Sequence, residues 1–364
     1  MKNRKILFVI TSLGFGGAES QLLGIIPALA DRGYDISLLT IKTDLGLLGR
    51  LDKRVRHYDL GLNGAKAILS AFRKLNQVIK KVKPDIIHTH LYHANLIGRF
   101  VKMRYPGIRV INTSHSNYDA RKRVISPYLF YKLTSRWVDY HTAVSAPALE
   151  LLHEKGSIDA QRSAVIYNAI DVDRFAMPAE KPQNPVFRWI AIGRLIEVKD
   201  YRNLFDALQL LLRSGMHFTV DIAGDGDLKH ELKAQVELAG LNRQVRFLGL
   251  VKNISHLLPE YDGYVISSRS EGMPMALLEA MSAGLPVTGT DVGGIRSILE
   301  GAGGGVVVPP RDPVALGAGM KQLMTMDHAA RTEWGRKNAA FVKNNFEKSM
   351  ILNTWEAIYE NTKA

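Results

Sequence analysis

The chain has 364 residues, with 48 Lys+Arg against 35 Asp+Glu, a formal net charge of +13 and no cysteine. Its 46% apolar and 23% charged residues are ordinary for a globular protein and exclude a disordered, collagen-like or coiled-coil chain. The missing cysteine excludes disulfide scaffolds, thiolate chemistry and cysteine-based zinc sites. The length fits two average domains, and the charge is divided unequally: residues 1–182 hold 28 Lys+Arg and 15 Asp+Glu, residues 183–364 hold 20 of each. A one-sided excess predicts that the first half faces something anionic: nucleic acid, a membrane surface or a phosphorylated substrate.

In chain order, the basic start Met1–Lys5 leads into the apolar run Ile6–Ile10, too short for a signal-peptide core and read as the first strand. Gly14-Phe-Gly-Gly-Ala-Glu19 follows and opens a helix over Ala18–Asp31. Further strands are predicted at Ile36–Thr40, Asp85–Thr89, Arg109–Asn112 and Tyr140–Val144, with a helix over Ala65–Val82. Met177–Pro185 carries three prolines and reads as an interdomain linker. The second half repeats the alternation, with strands at Trp189–Ile192, Phe218–Ala223, Val245–Leu248, Tyr264–Ser267 and Val287–Thr290 and helices at Tyr201–Arg213, Leu228–Ala239 and Pro274–Ala283. After His328 the chain reads as about two helices with a break near Asn344–Asn345, and Trp355, Ile358 and Tyr359 form an apolar face at its end. Short buried strands alternating with helices predict a doubly wound parallel α/β sheet, here twice. The expected domains are 1–180 and 181–345, with 346–364 a helix returning to the first. A ligand cleft is expected between the two, at the carboxyl ends of the strands.

The chemistry gathers behind the strands. Gly14, Gly16 and Gly17 precede a helix, where glycine lets backbone approach a ligand and free N–H groups attract an anion; a plain tight turn is the alternative. Glu19 breaks the G-x-G-x-x-G fingerprint, which disfavours a dehydrogenase. Gly193-Arg194 with Lys199 sets two cations behind a strand, suited to a diphosphate. Ser270–Pro286 then offers Glu271 in a loop and Glu279 within a helix. Pro274 suits the first helical position, with Met273 as an N-cap that cannot accept the orphan N–H groups of Met275 and Ala276, leaving that terminus open to a phosphate. Taken singly, Glu271 could be a turn residue and Glu279 a solvent-facing one.

Glu271 and Glu279 form E-x7-E within EGMPMALLEAMSAGLPV; with Gly193-Arg194, Lys199, Gly224-Asp-Gly226, Phe247-Leu-Gly249 and Gly16-Gly17-Ala-Glu19 in this order, the chain resembles the retaining glycosyltransferases of the GT-B fold, group 1 or family GT4, over essentially its whole length. The resemblance implies two Rossmann-like domains facing across a cleft and a nucleotide sugar bound mainly by the second. Arg194 and Lys199 would hold the diphosphate, Glu271 and the backbone of Gly272, Met273, Pro274 and Met275 the sugar, and Glu279 the ribose. Val251 would lie near the base, while Gly16 and Gly17 approach from the other wall. His115, in Thr113-Ser-His-Ser116, follows a strand, where similar enzymes place a histidine against the sugar; with Glu271 it is the candidate catalytic residue. Retention would proceed by front-side attack, with the departing phosphate taking the acceptor proton. Such enzymes typically need no metal or cofactor, so His88-Thr-His90 with His93, Asp171-Val-Asp173 and Asp225-Gly-Asp227 read as packing or turn residues rather than metal ligands.

Two segments carry the basic excess. Residues 65–83 hold Lys66, Arg73, Lys74, Lys80, Lys81 and Lys83 with Ile68, Phe72, Leu75, Ile79 and Val82 at helical spacing. Residues 99–137 hold nine cations, Arg99, Lys102, Arg104 and Arg109 among them, with seven interleaved aromatic residues and one acid, Asp119. Basic and aromatic residues suit an anionic membrane interface; a solvated helix face over core aromatics is the alternative. The expected partners are a nucleotide sugar, an anionic lipid-linked glycan acceptor and the inner face of the cytoplasmic membrane, without nucleic acid. An epimerase or hydrolase on the same fold and a basic nucleic-acid-binding protein are the competing readings.

Overall fold

The computed structural model describes residues 4–14, 16–62, 68–115, 127–179 and 183–360. Lys66, residues 116–126 of the second basic segment and residues 180–182 of the proline-rich linker lie outside them. The chain divides into two compact units, Met1–Ala169 with Ser349–Ala364, and Ile170–Lys348; the sequence pattern put these boundaries at 180/181 and 345/346.

The first unit runs β1 (Lys5–Ile10), α1 (Gly17–Asp31), β2 (Asp35–Thr40), β3 (Arg56–Asp59), α2 (Ile68–Val82), β4 (Ile86–His90), α3 (Tyr92–Arg104), β5 (Arg109–Ser114), α4 (Pro127–Thr134), β6 (Tyr140–Ala143), α5 (Ala146–Glu154) and β7 (Ser163–Val165). The second runs β8 (Phe187–Ile192), α6 (Tyr201–Arg213), β9 (Phe218–Ala223), α7 (Lys229–Leu238), β10 (Val245–Gly249), α8 (Ile254–Leu257), β11 (Gly263–Ile266), α9 (Met275–Ser282), β12 (Val287–Thr290), α10 (Ile295–Ala302), β13 (Gly305–Val308), α11 (Pro313–Thr325) and α12 (His328–Phe346). The last helix, α13 (Lys348–Glu360), belongs from Ser349 onward to the first unit. The break between α12 and α13 falls at Glu347, where Ile170 makes an isolated bridge, rather than at Asn344–Asn345.

Both sheets are wholly parallel, with orders β3-β2-β1-β4-β5-β6-β7 and β10-β9-β8-β11-β12-β13. β3, β7 and β13, which the sequence pattern did not yield, are all edge strands. An edge strand pairs on one side only, so polar runs such as Arg56–Asp59 in β3 suffice and the apolar signature is weak there; β13, Gly-Val-Val-Val, is apolar but only four residues long. In each unit the chain first winds outward from a central strand and then returns to pair on that strand's other side. The reversal lies between β1 and β4 in the first unit and between β8 and β11 in the second. At such a switch point the flanking loops diverge and leave a crevice beyond the carboxyl ends of the strands.

The period of two along β1 divides the first unit's core. Ile6, Phe8 and Ile10 pack with α1 and the Ile351–Tyr359 stretch of α13. Leu7 and Val9 face α2 and α3. In the second unit Trp189, Ala191, Val220 and Ile222 pack with α6 and α11. α2 buries Ala71, Leu75, Val78, Ile79 and Val82. Phe72, expected on that buried stripe, is instead 40% exposed and meets Phe100 of α3 edge to face, 5.8 Å between ring centroids.

Candidate active site

In the second unit the residues singled out from the sequence collect at the switch point. The loop behind β8 carries Gly193, Arg194 and Lys199; the loop behind β11 carries Glu271. Lys199 Nζ lies 2.5 Å from Glu271 Oε1, and Ser268 Oγ donates to the same oxygen at 2.6 Å. Both charged side chains are mostly covered, 21% and 11% exposed. Glu271 Oε2 has no partner among the described residues, so one carboxylate oxygen is held and the other is free to accept from a ligand. Arg194 is exposed, and its side chain has no polar partner among the described residues.

Glycines bring these loops together. A Cβ at Gly224 would stand 1.9 Å from Gly193 O, and one at Gly226 2.6 Å from Leu195 O. The turn behind β9 thus nests against the Arg194 loop, and Leu195 N donates to Asp225 O at 2.9 Å. Asp225 itself turns to Gly226 N and Lys229, consistent with a turn rather than a metal ligand. Gly293, at φ 57, approaches the Glu271 carbonyl so closely that a Cβ would stand 2.1 Å from it. Its neighbour Gly294 donates from its backbone N to Gly272 O at 2.9 Å. The pair Gly293-Gly294, not singled out from the sequence, thus sets the backbone of Glu271 and Gly272. A Gly-Gly dipeptide between a strand and an amphipathic helix was the available signal.

Behind Glu271 the chain passes the buried Gly272, Met273 and Pro274 into α9. Pro274 is the N-cap, not the first helical residue: its φ of −73° would suit either position, but its ψ of 118° is extended. Met273 therefore lies one residue outside the cap. No side chain caps the helix; Leu277 N reaches Pro274 O at 3.2 Å, so Met275 and Ala276 offer the N–H groups. Glu279 is half-buried on α9. Beneath the two carboxylates Tyr264 is fully buried, and burial together with the charges of Glu271 and Glu279 raises its hydroxyl well above its usual value. Tyr201, raised by burial first and then by Glu271, donates to Gly193 O at 3.0 Å. Val251 follows edge strand β10 and is half-buried, two strands from β8.

The first unit's switch point holds Gly16, Gly17 and histidines. Gly16 caps α1 without a side-chain bond, at φ −152° and ψ 164°, an extended conformation open to any residue. A Cβ there would stand 2.2 Å from Glu19 Oε2, and one at Gly14 2.3 Å from Asp44 Oδ2; both obstacles are the ends of side chains that can turn aside, so packing within this unit does not itself demand glycine. His115 follows β5, half-buried, with Nε2 2.9 Å from His90 Nδ1; one nitrogen of the pair donates and the other accepts. Burial lowers His115 to about 4, and burial with the neighbouring rings lowers His90 further, so both are neutral at pH 7. His88 is structural. Its Nδ1 meets Tyr359 Oη at 2.8 Å and its Nε2 meets Thr113 Oγ1 at 2.7 Å, which leaves neither nitrogen for a metal. Leu91, between His90 and α3, has φ 73° and ψ 160°, a strained conformation for a side chain of its size.

Several residues of the basic segments serve the fold. Arg99 is 1% exposed, lies 3.9 Å from the centre of the Tyr131 ring and donates to Tyr131 O at 3.0 Å. Arg109 donates to backbone carbonyls of Ile358 and Tyr359. Lys102 pairs with Asp139 at 2.7 Å. No helix among the described residues is long and apolar enough to cross a membrane.

Comparison with known proteins gives this geometry its family. Residues 175–341 match the family described as glycosyl transferases group 1, and residues 15–174 match glycosyltransferase family 4. The UDP-Gal:alpha-D-GlcNAc-diphosphoundecaprenol alpha-1,3-galactosyltransferase of Escherichia coli is 26% identical over 326 residues, 81% of either chain. The N-acetyl-alpha-D-glucosaminyl L-malate synthase of Bacillus anthracis is 25% identical over 95% of this chain and 93% of its own. Among solved structures, Anabaena HepE in complex with UDP superposes with a TM-score of 0.83 at 20% identity, covering 98% of this chain and all of that one, and the two parallel α/β units match its GT-B fold. The chain belongs to the group 1, family 4 glycosyltransferases.

Proposed function

We propose that the enzyme moves a hexose or N-acetylhexosamine, with retention, from a nucleotide sugar to a lipid-linked or surface-polysaccharide acceptor at the inner face of the membrane. The observation that carries the donor half of this reading is the Lys199–Glu271 pair at 2.5 Å, set beside the uncapped N-terminus of α9 and the exposed Arg194. A diphosphate arriving there draws Lys199 and Arg194 and frees Glu271 to accept from sugar hydroxyls. The leaving nucleoside diphosphate develops charge as the bond to the sugar breaks, and fixed cations with helix N–H groups stabilise it. UDP is favoured over GDP because the E. coli relative's name carries UDP-Gal and Anabaena HepE was solved with UDP. No residue is assigned a metal or a cofactor. His115, neutral, would donate or accept at the sugar through Nδ1, the nitrogen that His90 does not hold.

The acceptor half rests on charge. The basic excess lies in residues 1–182, whereas the charged residues assigned to the donor, Arg194, Lys199, Glu271 and Glu279, lie in the neutral half, so we assign the excess to an anionic acceptor or the membrane carrying it. The E. coli relative is named for a diphosphoundecaprenol-linked substrate. A thermal-shift screen over UDP- and GDP-sugars tests the donor: stabilisation follows affinity by mass action, and no response to any of them would sink the reading. Product analysis then separates transfer to an acceptor from the free sugar of a hydrolase or the isomerised donor of an epimerase.

A further inference from the structure

Arg269 plays no part in the site as read from the sequence, yet it joins the two loops that flank the second unit's switch point. Its backbone N donates to Val198 O at 2.8 Å. Its Nη1 reaches Glu197 Oε1 at 2.6 Å and its Nη2 reaches Asp200 Oδ1 at 2.7 Å. Ser267 Oγ, two residues earlier, donates to Lys199 O at 2.9 Å. Four consecutive residues behind β8, 197 to 200, are thus each held from the loop behind β11.

The last of the four is unusual. Asp200 is 4% exposed, adopts the left-handed conformation at φ 50° and ψ 49°, and has Oδ2 buried without a hydrogen-bond partner. Arg269 is its side-chain partner. A left-handed non-glycine residue persists only where its surroundings over-determine it, and here it turns the chain immediately after Lys199 into α6. Charge gives the arrangement a purpose. Glu197 and Asp200 lie on either side of Lys199 in sequence, and either carboxylate could compete for its ammonium. Arg269 engages both, which leaves the ammonium to Glu271.

We propose that Arg269 is a positioning residue: by clasping Glu197 and Asp200 it fixes the loop behind β8 and directs Lys199 to the place where a diphosphate binds. The inference rests on the reading of Lys199 as a diphosphate ligand and deepens it. Arg269 acts through Lys199, so its effect on ligand binding should vanish when Lys199 is gone, whereas a merely structural residue would add its own loss.

The test measures the Kd of UDP, and of GDP in parallel, by calorimetry on the full chain. Arg269→Gln is expected to weaken binding about tenfold, and Lys199→Ala by at least as much, while the double variant matches Lys199→Ala within about twofold. Arg269→Lys, which keeps the charge but not the two-ended fork, falls between wild type and Arg269→Gln and replaces it if that variant does not fold. Adding Asp200→Asn to Arg269→Gln removes one competing charge and is expected to restore part of the affinity. If Lys199→Ala binds as wild type, or neither nucleotide binds the wild type, the diphosphate reading falls and the clasp with it. If Lys199→Ala is impaired but Arg269→Gln costs a further tenfold on top of it, or nothing alone, the clasp alone is overturned.

Discussion

Lys199 Nζ and Glu271 Oε1 stand 2.5 Å apart although 72 residues separate them, because their loops follow the neighbouring parallel strands β8 and β11, between which the order of winding reverses. The reversal opens a crevice, and the two loops line it with opposite charges. In the free protein each neutralises the other, so neither charge faces a low-dielectric surface unpaired. A ligand with an anionic and a hydroxyl-bearing part can split the pair and satisfy both members. The arrangement is an exchange of partners rather than a vacancy.

That exchange predicts the behaviour of Glu271→Ala. A charge-assisted hydrogen bond contributes about 2 kcal/mol, or about 30-fold in rate if it strengthens in the transition state. Sugar transfer should fall by at least that factor. The fold should be retained at a modest cost in stability, since Lys199 is 21% exposed and regains water, whereas the buried Ser268 hydroxyl loses its acceptor. Initial rates and circular dichroism check this together; unchanged turnover refutes the role of Glu271.

The Arg194 side chain makes no polar contact among the described residues, so its charge is held in reserve. Arg194→Ala is expected to leave the melting temperature unchanged and to weaken UDP binding by about 1.5–3 kcal/mol, the range of hydrogen bonds to charged groups, which is roughly 10- to 100-fold in Kd. Arg194→Lys should recover part of this, because an ammonium keeps the charge but not the bidentate geometry. Equal affinity for wild type and Arg194→Ala would move the diphosphate elsewhere.

How far the sequence reached follows from which signals are local. The spacing of Glu271 and Glu279, the cations behind β8 and the alternation of strands and helices are local, and each was legible. The ψ of Pro274 was not, because proline sets φ and leaves ψ open. Phe72 lies at the margin of the buried stripe of α2, about 100° around the helix from Ala71 but only about 20° from Ile79, and only the depth of the packing against the sheet decides on which side of the margin it falls. The pairing of Arg269 with Asp200 joins residues 69 apart and carries no local mark beyond their charges. The histidines behave likewise. H-x-H-x2-H could be read as a metal motif until Tyr359, 271 residues on, takes a nitrogen of His88.

That same histidine predicts a pH dependence. His88 is fully buried, and burial lowers it from the ordinary 6.5 to about 3, with the charge of His115 adding to the effect. The unfolded chain therefore binds this proton first. The contribution to stability is complete above 6.5 and is lost as pH falls from 6.5 toward about 3. At pH 5.5 the loss for such a group is roughly 1.4 kcal/mol. His90 and His141, also buried and lowered, act in the same direction. The melting temperature should fall steadily between pH 7 and 5, above the range in which ordinary carboxylates titrate. A flat profile there would show that these rings do not resist protonation.

The first unit's outer helices carry the membrane reading, and it can be made specific to residues. Phe72 and Phe100 touch at the surface, Met103 is 49% exposed, and the exposed Arg73 and Arg104 flank them. Leu129 and Leu133 on α4 are exposed as well. Each ring contributes about 1.5–3 kcal/mol when it leaves water completely, and each nearby cation about 1 kcal/mol at an anionic surface. The double variant Phe72→Ser, Phe100→Ser should therefore lose on the order of 100-fold in partitioning to vesicles containing phosphatidylglycerol, and salt should weaken the wild type through the arginines. Donor binding in the second unit should not change. In a flotation assay, wild type that fails to rise with anionic vesicles at low salt removes the membrane from the function. Wild type that rises together with an undiminished double variant keeps the membrane and assigns it to another face.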